Sequence, residues 1–138
     1  MRNRALLLVA AAGALAATAA PAVTAASPTV TVRPSKFGRV LFDGRGFVLY
    51  ALTADRAGRR SCTGACAKAW PPYTVRKRPT GRLLSATRRA DGSLHVTYAG
   101  RPLYYYVGDR SRGQILCQNV REFGGLWLVL RADGRVVR

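Results

Sequence analysis

Residues 38–56, GRVLFDGRGFVLYALTADR, return 54 residues later and without a gap as residues 92–110, GSLHVTYAGRPLYYYVGDR. Apolar character is also kept between the two segments, at Val40/Leu94, Phe42/Val96 and Leu52/Tyr106. Six of the nineteen aligned positions are identical: Gly38/Gly92, Gly46/Gly100, Leu49/Leu103, Tyr50/Tyr104, Asp55/Asp109 and Arg56/Arg110. A match of this kind indicates an internal duplication of one hairpin.

Turn residues divide the rest of the chain into short runs of strand-forming residues. Asp43-Gly44, Asp91-Gly92 and Asp133-Gly134 are typical of tight hairpin turns, because glycine accepts the positive φ angles that such turns need. The runs between them are rich in β-branched residues and show hardly any helical periodicity. The exception is residues 62–70, whose alanines and lysine favour one or two helical turns before two prolines end them.

These patterns predict an all-β domain, with two hairpin repeats in a small sandwich or an incomplete barrel and one short helical turn near residues 62–70. The first repeat spans approximately residues 38–75 and the second approximately residues 83–131. The length suffices for one domain with a modest core.

The first 25 residues predict a cleaved secretory signal peptide. Residues 1–4 are basic, residues 5–20 carry no charge, and Val23-Thr24-Ala25 offers the small residues that a signal peptidase reads. The apolar run is shorter than the ~20 residues needed to span a bilayer, and no later stretch is apolar enough to do so. No cysteine follows the run to carry a lipid. We therefore expect residues 26–138 to form a single secreted domain.

The charge is strongly positive and spread over the whole length. It is +17 for the full chain and falls to +15 once Arg2 and Arg4 leave with the signal peptide. Such a field attracts polyanions, so an anionic cell-envelope polymer or lipid headgroups would suit it, and a protein partner is a further option. Basic residues interleaved with aromatics also fit a single-strand nucleic-acid binder, but export argues against nucleic acid. Alternatively, arginine, with 20 of the 23 basic residues, simply reflects genome base composition.

Three cysteines in a secreted protein permit one disulfide and leave one thiol over. A bridge between Cys62 and Cys66 would close a small ring worth roughly 2 kcal/mol, against roughly 4 kcal/mol for a bridge from either to Cys117. Magnitude favours the longer loop, but the sequence does not place the side chains. A thiol/disulfide redox pair is an alternative, although the spacing is not Cys-x-x-Cys. Covalent haem is disfavoured because Ala67 stands where the haem motif has histidine.

The remaining polar residues predict neither a metal site nor any cofactor. His95 is the single histidine, and with two cysteines oxidised too few ligands remain for zinc. Its position between Leu94 and Val96 in a strand predicts a side chain that faces solvent, not a general base. Acidic residues are also scarce, and we assign no catalytic residue.

Two aspartates differ from those in the turns, because Asp55 and Asp109 each follow a tyrosine by five residues. One interpretation is that each carboxylate caps the following loop by accepting a backbone N–H. The functional interpretation is a binding surface of seven residues, in which the tyrosines and aspartates line a common groove. The seven residues are Tyr50, Asp55, Tyr104, Tyr106, Asp109, Trp70 and Trp127.

Three motifs resemble one known family. Tyr104-Tyr-Tyr-Val-Gly-Asp109 is similar to the Tyr-x-(Phe/Trp/Tyr)-x-x-Asp motif of bacterial secreted-repeat proteins, also described as predicted lipoproteins. Residues 62–72, CTGACAKAWPP, and residues 123–127, FGGLW, resemble the other marks of that family. The resemblance covers approximately residues 30–130. It departs from the pattern at Leu52, where the motif has an aromatic residue.

The resemblance implies an architecture and a compartment but no reaction, because the activity of this family is not established. It implies that Cys62 and Cys66 form the disulfide, with Cys117 free or paired between chains. The absence of a lipidated cysteine implies a freely secreted member.

We therefore predict an exported, non-catalytic cell-envelope module that binds an anionic polymer or a protein partner. The alternatives are an extracytoplasmic redox protein that uses Cys62, Cys66 and Cys117, or an enzyme whose site the sequence does not identify. If there is one binding surface, the aromatic triplet at residues 104–106 places it in the second copy.

Overall fold

The computed structural model describes residue 13, residues 17–21, residues 29–55 and residues 60–138. The predicted cleavage region at residues 22–28 and most of the predicted signal peptide lie outside these residues. Within them, no helix has the length and apolar character needed to cross a membrane.

Short strands dominate the described chain, and a single helical turn interrupts them. The helix lies within the predicted segment, where Gly64 takes a φ of 56° before it and Pro71 follows it. The prediction of an all-β domain with one short helical turn is confirmed. In chain order the elements are β1 (Val30–Ser35), β2 (Gly38–Asp43), β3 (Tyr50–Leu52), α1 (Ala65–Ala69), β4 (Thr74–Val75), β5 (Leu84–Arg88), β6 (Leu94–Tyr98), β7 (Arg101–Pro102), β8 (Val120–Glu122) and β9 (Gly125–Val129).

The strands form three antiparallel sheets. β1 pairs with β2, β9 lies between β3 and β8, and β6 pairs with β4, β5 and β7. Isolated bridges, Phe42 to Val48 and both Tyr50 and Pro72 to Tyr104, connect the elements further. The sheets of the described residues do not close into a barrel. This agrees with the predicted small sandwich or incomplete barrel.

The two copies of the hairpin meet at Tyr50 and Tyr104, about an approximate two-fold axis. The backbone N–H of each tyrosine donates to the carbonyl oxygen of the other, both at 2.9 Å. On the outer sides, Tyr50 lies opposite Val129 of β9 and Tyr104 lies opposite Pro72. These four segments therefore form one antiparallel arrangement with the axis at its centre.

The gap-free alignment of the copies is wrong across the hairpin turn. The backbone N–H of Leu49 donates to the carbonyl of Leu41 at 3.1 Å, and that of Leu103 donates to Val96 at 3.0 Å. The two donors are 54 residues apart, but the two acceptors are 55 apart. The connection is therefore one residue longer in the first copy, and the structural counterpart of Val40 is His95.

The prediction that His95 faces solvent is also wrong. Its side chain is fully buried and lies edge-on to the ring of Tyr104, with centroids 4.9 Å apart. Nε2 donates to the carbonyl of Leu103 at 2.7 Å, while Nδ1 has no hydrogen-bond partner among the described residues. Burial, chiefly, lowers the pKa of His95 to about 4, so the ring is neutral at physiological pH.

Side chains of the central strands alternate between two hydrophobic clusters, as the strand period of two requires. Tyr104 and Tyr106 contribute to one cluster, and Tyr105 packs against the other. We call the first the aromatic core; its buried members are Val40, Phe42, Val48, Tyr50, Leu52, Cys62, Cys66, Trp70, Tyr104, Ile115, Trp127, Val129 and Val137. We call the second the aliphatic core; its buried members are Leu41, Leu49, Ala51, Val96, Leu103 and Leu130.

Candidate functional site

The segment that follows the first hairpin carries a disulfide between Cys62 and Cys66, whose Cα atoms are 5.1 Å apart. This confirms the pairing that the resemblance implies. The two cysteines are only 1% and 4% exposed, and they pack into the aromatic core beside Trp70. Disulfides form and persist in oxidising compartments outside the cytoplasm, so the bridge points to an extracytoplasmic protein.

Each tyrosine of the repeated motif bonds to the aspartate of the other copy. The hydroxyl of Tyr50 donates to Asp109 Oδ2 and that of Tyr104 donates to Asp55 Oδ2, both at 2.7 Å. We call these four residues the cross-copy clasp. The sequence groups each tyrosine with the aspartate that follows it by five residues, whereas the two-fold arrangement exchanges the partners.

The second oxygen of each clasp carboxylate caps the loop that follows. Asp55 Oδ1 accepts the backbone N–H of Ser61 at 2.7 Å, and Asp109 Oδ1 accepts that of Leu116 at 2.9 Å. Burial is the main cause that raises the pKa of Tyr50 and of Asp109. The tyrosine hydroxyls therefore remain protonated donors, and the clasp is a set of hydrogen bonds that fastens the two copies together.

Two tryptophans stack across the same axis. The indole rings of Trp70 and Trp127 are 3.9 Å apart between centroids and tilted by only 4°. Each packs edge-on against one clasp tyrosine, Trp70 on Tyr50 and Trp127 on Tyr104, with centroids 5.2 Å apart in both pairs. The two indole N–H groups both donate to Glu122, one to its carboxylate at 2.9 Å and one to its carbonyl at 3.2 Å.

The seven residues of the predicted binding surface thus lie mostly in the interior. Asp109 is 9% exposed, and the side chains of Asp55 and Tyr106 are half-buried. The other four are 0% exposed: Tyr50, Trp70, Tyr104 and Trp127. A ligand does not reach these four in the folded protein, so the structure assigns them to the core.

Cys117 is half-buried and belongs to no disulfide. Burial raises the pKa of its thiol, which the hydrogen bond with Tyr106 only partly offsets. Thiol exchange requires the thiolate, so a raised pKa makes Cys117 a poor nucleophile, and burial shields the Cys62–Cys66 bridge from attack. In the described part of the chain, no three His, Cys, Asp or Glu side chains are grouped to hold a metal ion.

Arginines from separate parts of the chain converge on β5, which is an edge strand of its sheet. Arg78 Nη1 donates to the carbonyl of Ala86 at 2.7 Å. Arg60 donates to Thr87 Oγ1 and to the carbonyl of Arg88, both at 3.2 Å. The strand edge is therefore lined with positive charge that is held in place by hydrogen bonds.

An open groove with a volume of about 500 Å³ lies between β4 and the β5–β6 turn. Arg76 and Arg88 line it together with Ser93, and Arg88 Nη1 donates to the carbonyl of Gly92 at 2.9 Å. A guanidinium has five N–H donors, so each arginine keeps donors for a ligand. We call Arg60, Arg76, Arg78 and Arg88 the β5 basic patch and this cavity the arginine groove.

The sequence singles out only part of this patch. Residues 76–82 are recognisable as a basic exposed linker, but Arg60 and Arg88 lie 28 residues apart and meet only through the fold. The sequence shows only that the strand β5 ends in an arginine, Arg88. This does not reveal which distant arginines cover the edge of the strand.

Comparison with known proteins gives an architecture but no activity. No curated protein and no solved structure matches the chain. Residues 85–131 match the model of one family, Lipoprotein_15, which is described as a secreted repeat of unknown function. The match runs from β5 to just beyond β9 and so covers the second copy. The resemblance to the secreted-repeat family is thereby confirmed over residues 85–131, which match a secreted repeat of unknown function.

Proposed function

We propose that the chain is an exported, non-catalytic module of the cell envelope that binds an anionic polymer through the β5 basic patch. The secreted-repeat match and the disulfide support the compartment. In this proposal residues 1–25 are the signal peptide and are removed on export, and no lipid is attached.

The observation that carries the proposal is the convergence of arginines on one strand and one groove. Arg60, Arg76 and Arg88 come from three parts of the sequence, and hydrogen bonds hold Arg60 and Arg88 against β5 and its turn. Arginine excess due only to base composition would not require this placement. Preordered guanidinium groups lose less entropy on binding a phosphate, sulfate or carboxylate than free ones.

Two arginines near β5, of which Arg60 belongs to the patch, also act on the buried His95. After burial, which is the larger effect, the positive charges of Arg89 and Arg60 contribute to lowering the pKa of His95. Asp91 offsets one charge, since its carboxylate lies 4.0 Å from Arg89 Nε. The four arginines of the patch form no ion pair among the described residues, so their charges are available to a ligand.

The same arginines argue against recognition of a peptide strand at this edge. A protein partner that adds a β-strand needs free carbonyl groups on the edge strand. On β5 the carbonyls of Ala86 and Arg88 already accept bonds from Arg78 and Arg60. Covered edges of this type prevent strand pairing, which favours a polymer that binds guanidinium groups.

The test compares two triple variants with the same loss of charge. Arg60→Ala/Arg76→Ala/Arg88→Ala removes three of the four arginines of the patch, and Arg39→Ala/Arg121→Ala/Arg138→Ala removes three exposed arginines elsewhere. Binding to poly(glycerol phosphate) is measured by calorimetry at several salt concentrations. We expect the patch variant to bind about ten-fold more weakly or worse, because hydrogen bonds to charged groups contribute about 1.5–3 kcal/mol and 1.4 kcal/mol is ten-fold.

The control variant should keep most of the affinity and a similar salt dependence. Equal weakening of both variants would mean that binding follows net charge alone, and the patch would have no special role. Vesicles with anionic headgroups are a second probe. If they bind the wild type more tightly than the polymer does, the ligand is a lipid surface.

A further inference from the structure

We infer that the anionic polymer is a glycan, whose sugar rings occupy an aromatic groove beside the arginine groove. This inference rests on the proposed function and narrows its ligand class. The aromatic groove has a volume of about 420 Å³. Its lining residues are Thr29, Asp43, Gly44, Arg45, Pro72, Tyr73, Thr74, Val75 and Tyr105.

The two grooves are neighbours on the surface. Thr74 and Val75, the two residues of β4, line both of them. A linear polymer that crosses β4 would therefore contact arginines on one side and aromatic rings on the other. The arginine groove has no aromatic residue in its lining, and the aromatic groove supplies the rings beside a single arginine, so the adjacency favours a ligand that carries both charge and rings.

The aromatic rings are held in fixed positions. Tyr73 and Tyr105 contact each other edge to face, with centroids 5.2 Å apart and planes tilted by 61°. The hydroxyl of Tyr73 donates to the carbonyl of Thr29 at 2.7 Å, and that of Tyr105 donates to Asp43 Oδ2 at 2.8 Å. Both tyrosines are only half-buried. Their hydroxyls are occupied, so their rings are what they offer to a ligand in the groove.

A buried carboxylate positions a cation at the same groove. Asp43 is 2% exposed, and its Oδ1 accepts the backbone N–H groups of Arg45, Gly46 and Phe47, each at 2.9 Å. Its Oδ2 accepts Arg45 Nε at 3.0 Å. The guanidinium of Arg45 lies 5.1 Å from the ring centroid of Phe47 and 5.8 Å from that of Tyr105, and the side chain is 66% exposed. Arg45 is thus oriented but still has donors for a ligand.

A saccharide matches this set of groups. The C–H faces of a sugar ring are apolar and carry partial positive charge, which suits the negative face of an aromatic ring. Its hydroxyls and any carboxylate accept hydrogen bonds from Arg45, in a concave site with few polar groups. A chain of phosphates alone would gain nothing from Tyr73 and Tyr105. Nucleic-acid bases stack on aromatic rings as well, but they need a flat open platform, and the edge-to-face pair offers none.

Four probes test the inference with the mature chain at one ionic strength. They are polygalacturonate, which has charge and sugar rings, polyphosphate, which has charge alone, dextran, which has rings alone, and oligo(dT), which has charge and bases. We expect wild type to bind polygalacturonate most tightly. Tyr73→Leu/Tyr105→Leu should weaken polygalacturonate binding by about three-fold or more, or about 0.65 kcal/mol, and leave polyphosphate binding unchanged.

The control variant is Phe123→Leu, which removes an exposed aromatic ring that lines neither groove. It should bind polygalacturonate as wild type does. If the double variant does not fold, saturation-transfer NMR on wild type replaces it. Transfer from aromatic protons to polygalacturonate is expected, and its absence would overturn the inference.

The outcomes separate the inference from the proposed function. If the tyrosine variant binds every probe as wild type does while the patch variant loses binding to polygalacturonate and polyphosphate, the ligand needs charge only and the glycan inference fails alone. If the patch variant binds like its charge-matched control, the proposed function fails. Preference for oligo(dT) that depends on Tyr73 and Tyr105 would assign the groove to single-stranded nucleic acid and overturn the inference.

Discussion

The two copies of the hairpin agree at the two-fold axis, which we call the centre. They differ away from the axis, in the part of each copy that we call its periphery. At the centre, the backbones of Tyr50 and Tyr104 bond to each other through two hydrogen bonds of equal length. Each hydroxyl donates to an aspartate at the same distance, and each ring makes the same edge-on contact with a tryptophan. At the periphery, Val40 of the first copy is replaced by His95 in the second.

The cysteines show the same divergence. Cys62 and Cys117 hold equivalent places, because each directly follows the residue whose backbone N–H donates to a clasp aspartate. Cys62 has a disulfide partner in Cys66, whereas Cys117 belongs to no disulfide.

The difference follows from where each residue finds its partner. Groups at the axis bond to the other copy, so a change in one copy leaves a buried polar group unpaired in the other. Groups at the periphery contact mostly their own copy and can be replaced one at a time. The comparison therefore predicts that paired substitutions at the axis have similar effects, and that the peripheral differences can be exchanged between copies.

The largest effect is expected from the stacked tryptophans. Trp70→Ala and Trp127→Ala each remove a fully buried ring from the aromatic core, and such changes cost about 3–5 kcal/mol in the free energy of unfolding. Urea denaturation followed by circular dichroism measures it. The exposed Leu116, changed to alanine, is the control and should stay within about 0.5 kcal/mol of wild type.

The symmetry predicts that the two tryptophan variants lose similar stability. If one of them were as stable as the Leu116 control, the stack would be the property of one copy only, and the central equivalence would be broken.

The next effect comes from His95, which carries the main peripheral difference. Its pKa is about 4 in the folded protein and about 6.5 in an unfolded chain. A lowered pKa in a base means that the unfolded state binds more protons, so stability falls as pH drops from about 6.5 to about 4, by about 3 kcal/mol in all. Above pH 7 the effect vanishes.

His95→Val gives the second copy the residue of the first and should abolish this pH dependence. The carbonyl of Leu103 keeps a donor in the variant, because it also accepts the backbone N–H of Tyr73 at 2.9 Å. The measurement is the difference between wild type and variant in urea midpoints at pH 4.5 and pH 7.5. An equal fall in both proteins would assign the acid sensitivity to carboxylates instead.

The sequence predicts what is local and misses what the two-fold axis brings together. The hairpins, the turns and the helical segment follow from turn residues and strand composition within a few positions of each other. The extra residue in the first copy is hidden, because the alignment agrees at both Gly38/Gly92 and Leu49/Leu103 while the register between them differs. His95 therefore looked exposed although it is buried.

The arrangement of the candidate-site residues is harder to predict than the fold. The spacing of Tyr50 and Asp55 suggests a pair within one copy, but the bonded aspartate is Asp109, 59 residues away. Aromatic residues that lie close to charged residues in the sequence suggest a binding surface. A small domain nevertheless buries its largest rings in the core. Arg60 and Arg88 carry no joint pattern, and only the packing of β5 brings them together.

The smallest effect, and the most direct test of the comparison, concerns the cross-copy clasp. Tyr50→Phe and Tyr104→Phe each delete one hydroxyl that donates to a carboxylate, at a cost of about 1.5–3 kcal/mol. Asp109 is more deeply buried than Asp55, so an unpaired carboxylate there is less well solvated, and Tyr50→Phe should be the more destabilising of the two.

A double-mutant cycle then decides which residues are partners. Tyr50→Phe combined with Asp109→Asn should lose clearly less stability than the sum of the single changes, because the two residues share one bond. Tyr50→Phe combined with Asp55→Asn removes one member of each bond, and the losses should add to within about 0.5 kcal/mol. If the coupling were found within a copy and not between copies, each hairpin would be an independent unit. The tyrosine–aspartate bonds across the axis would then not contribute to the free energy of unfolding.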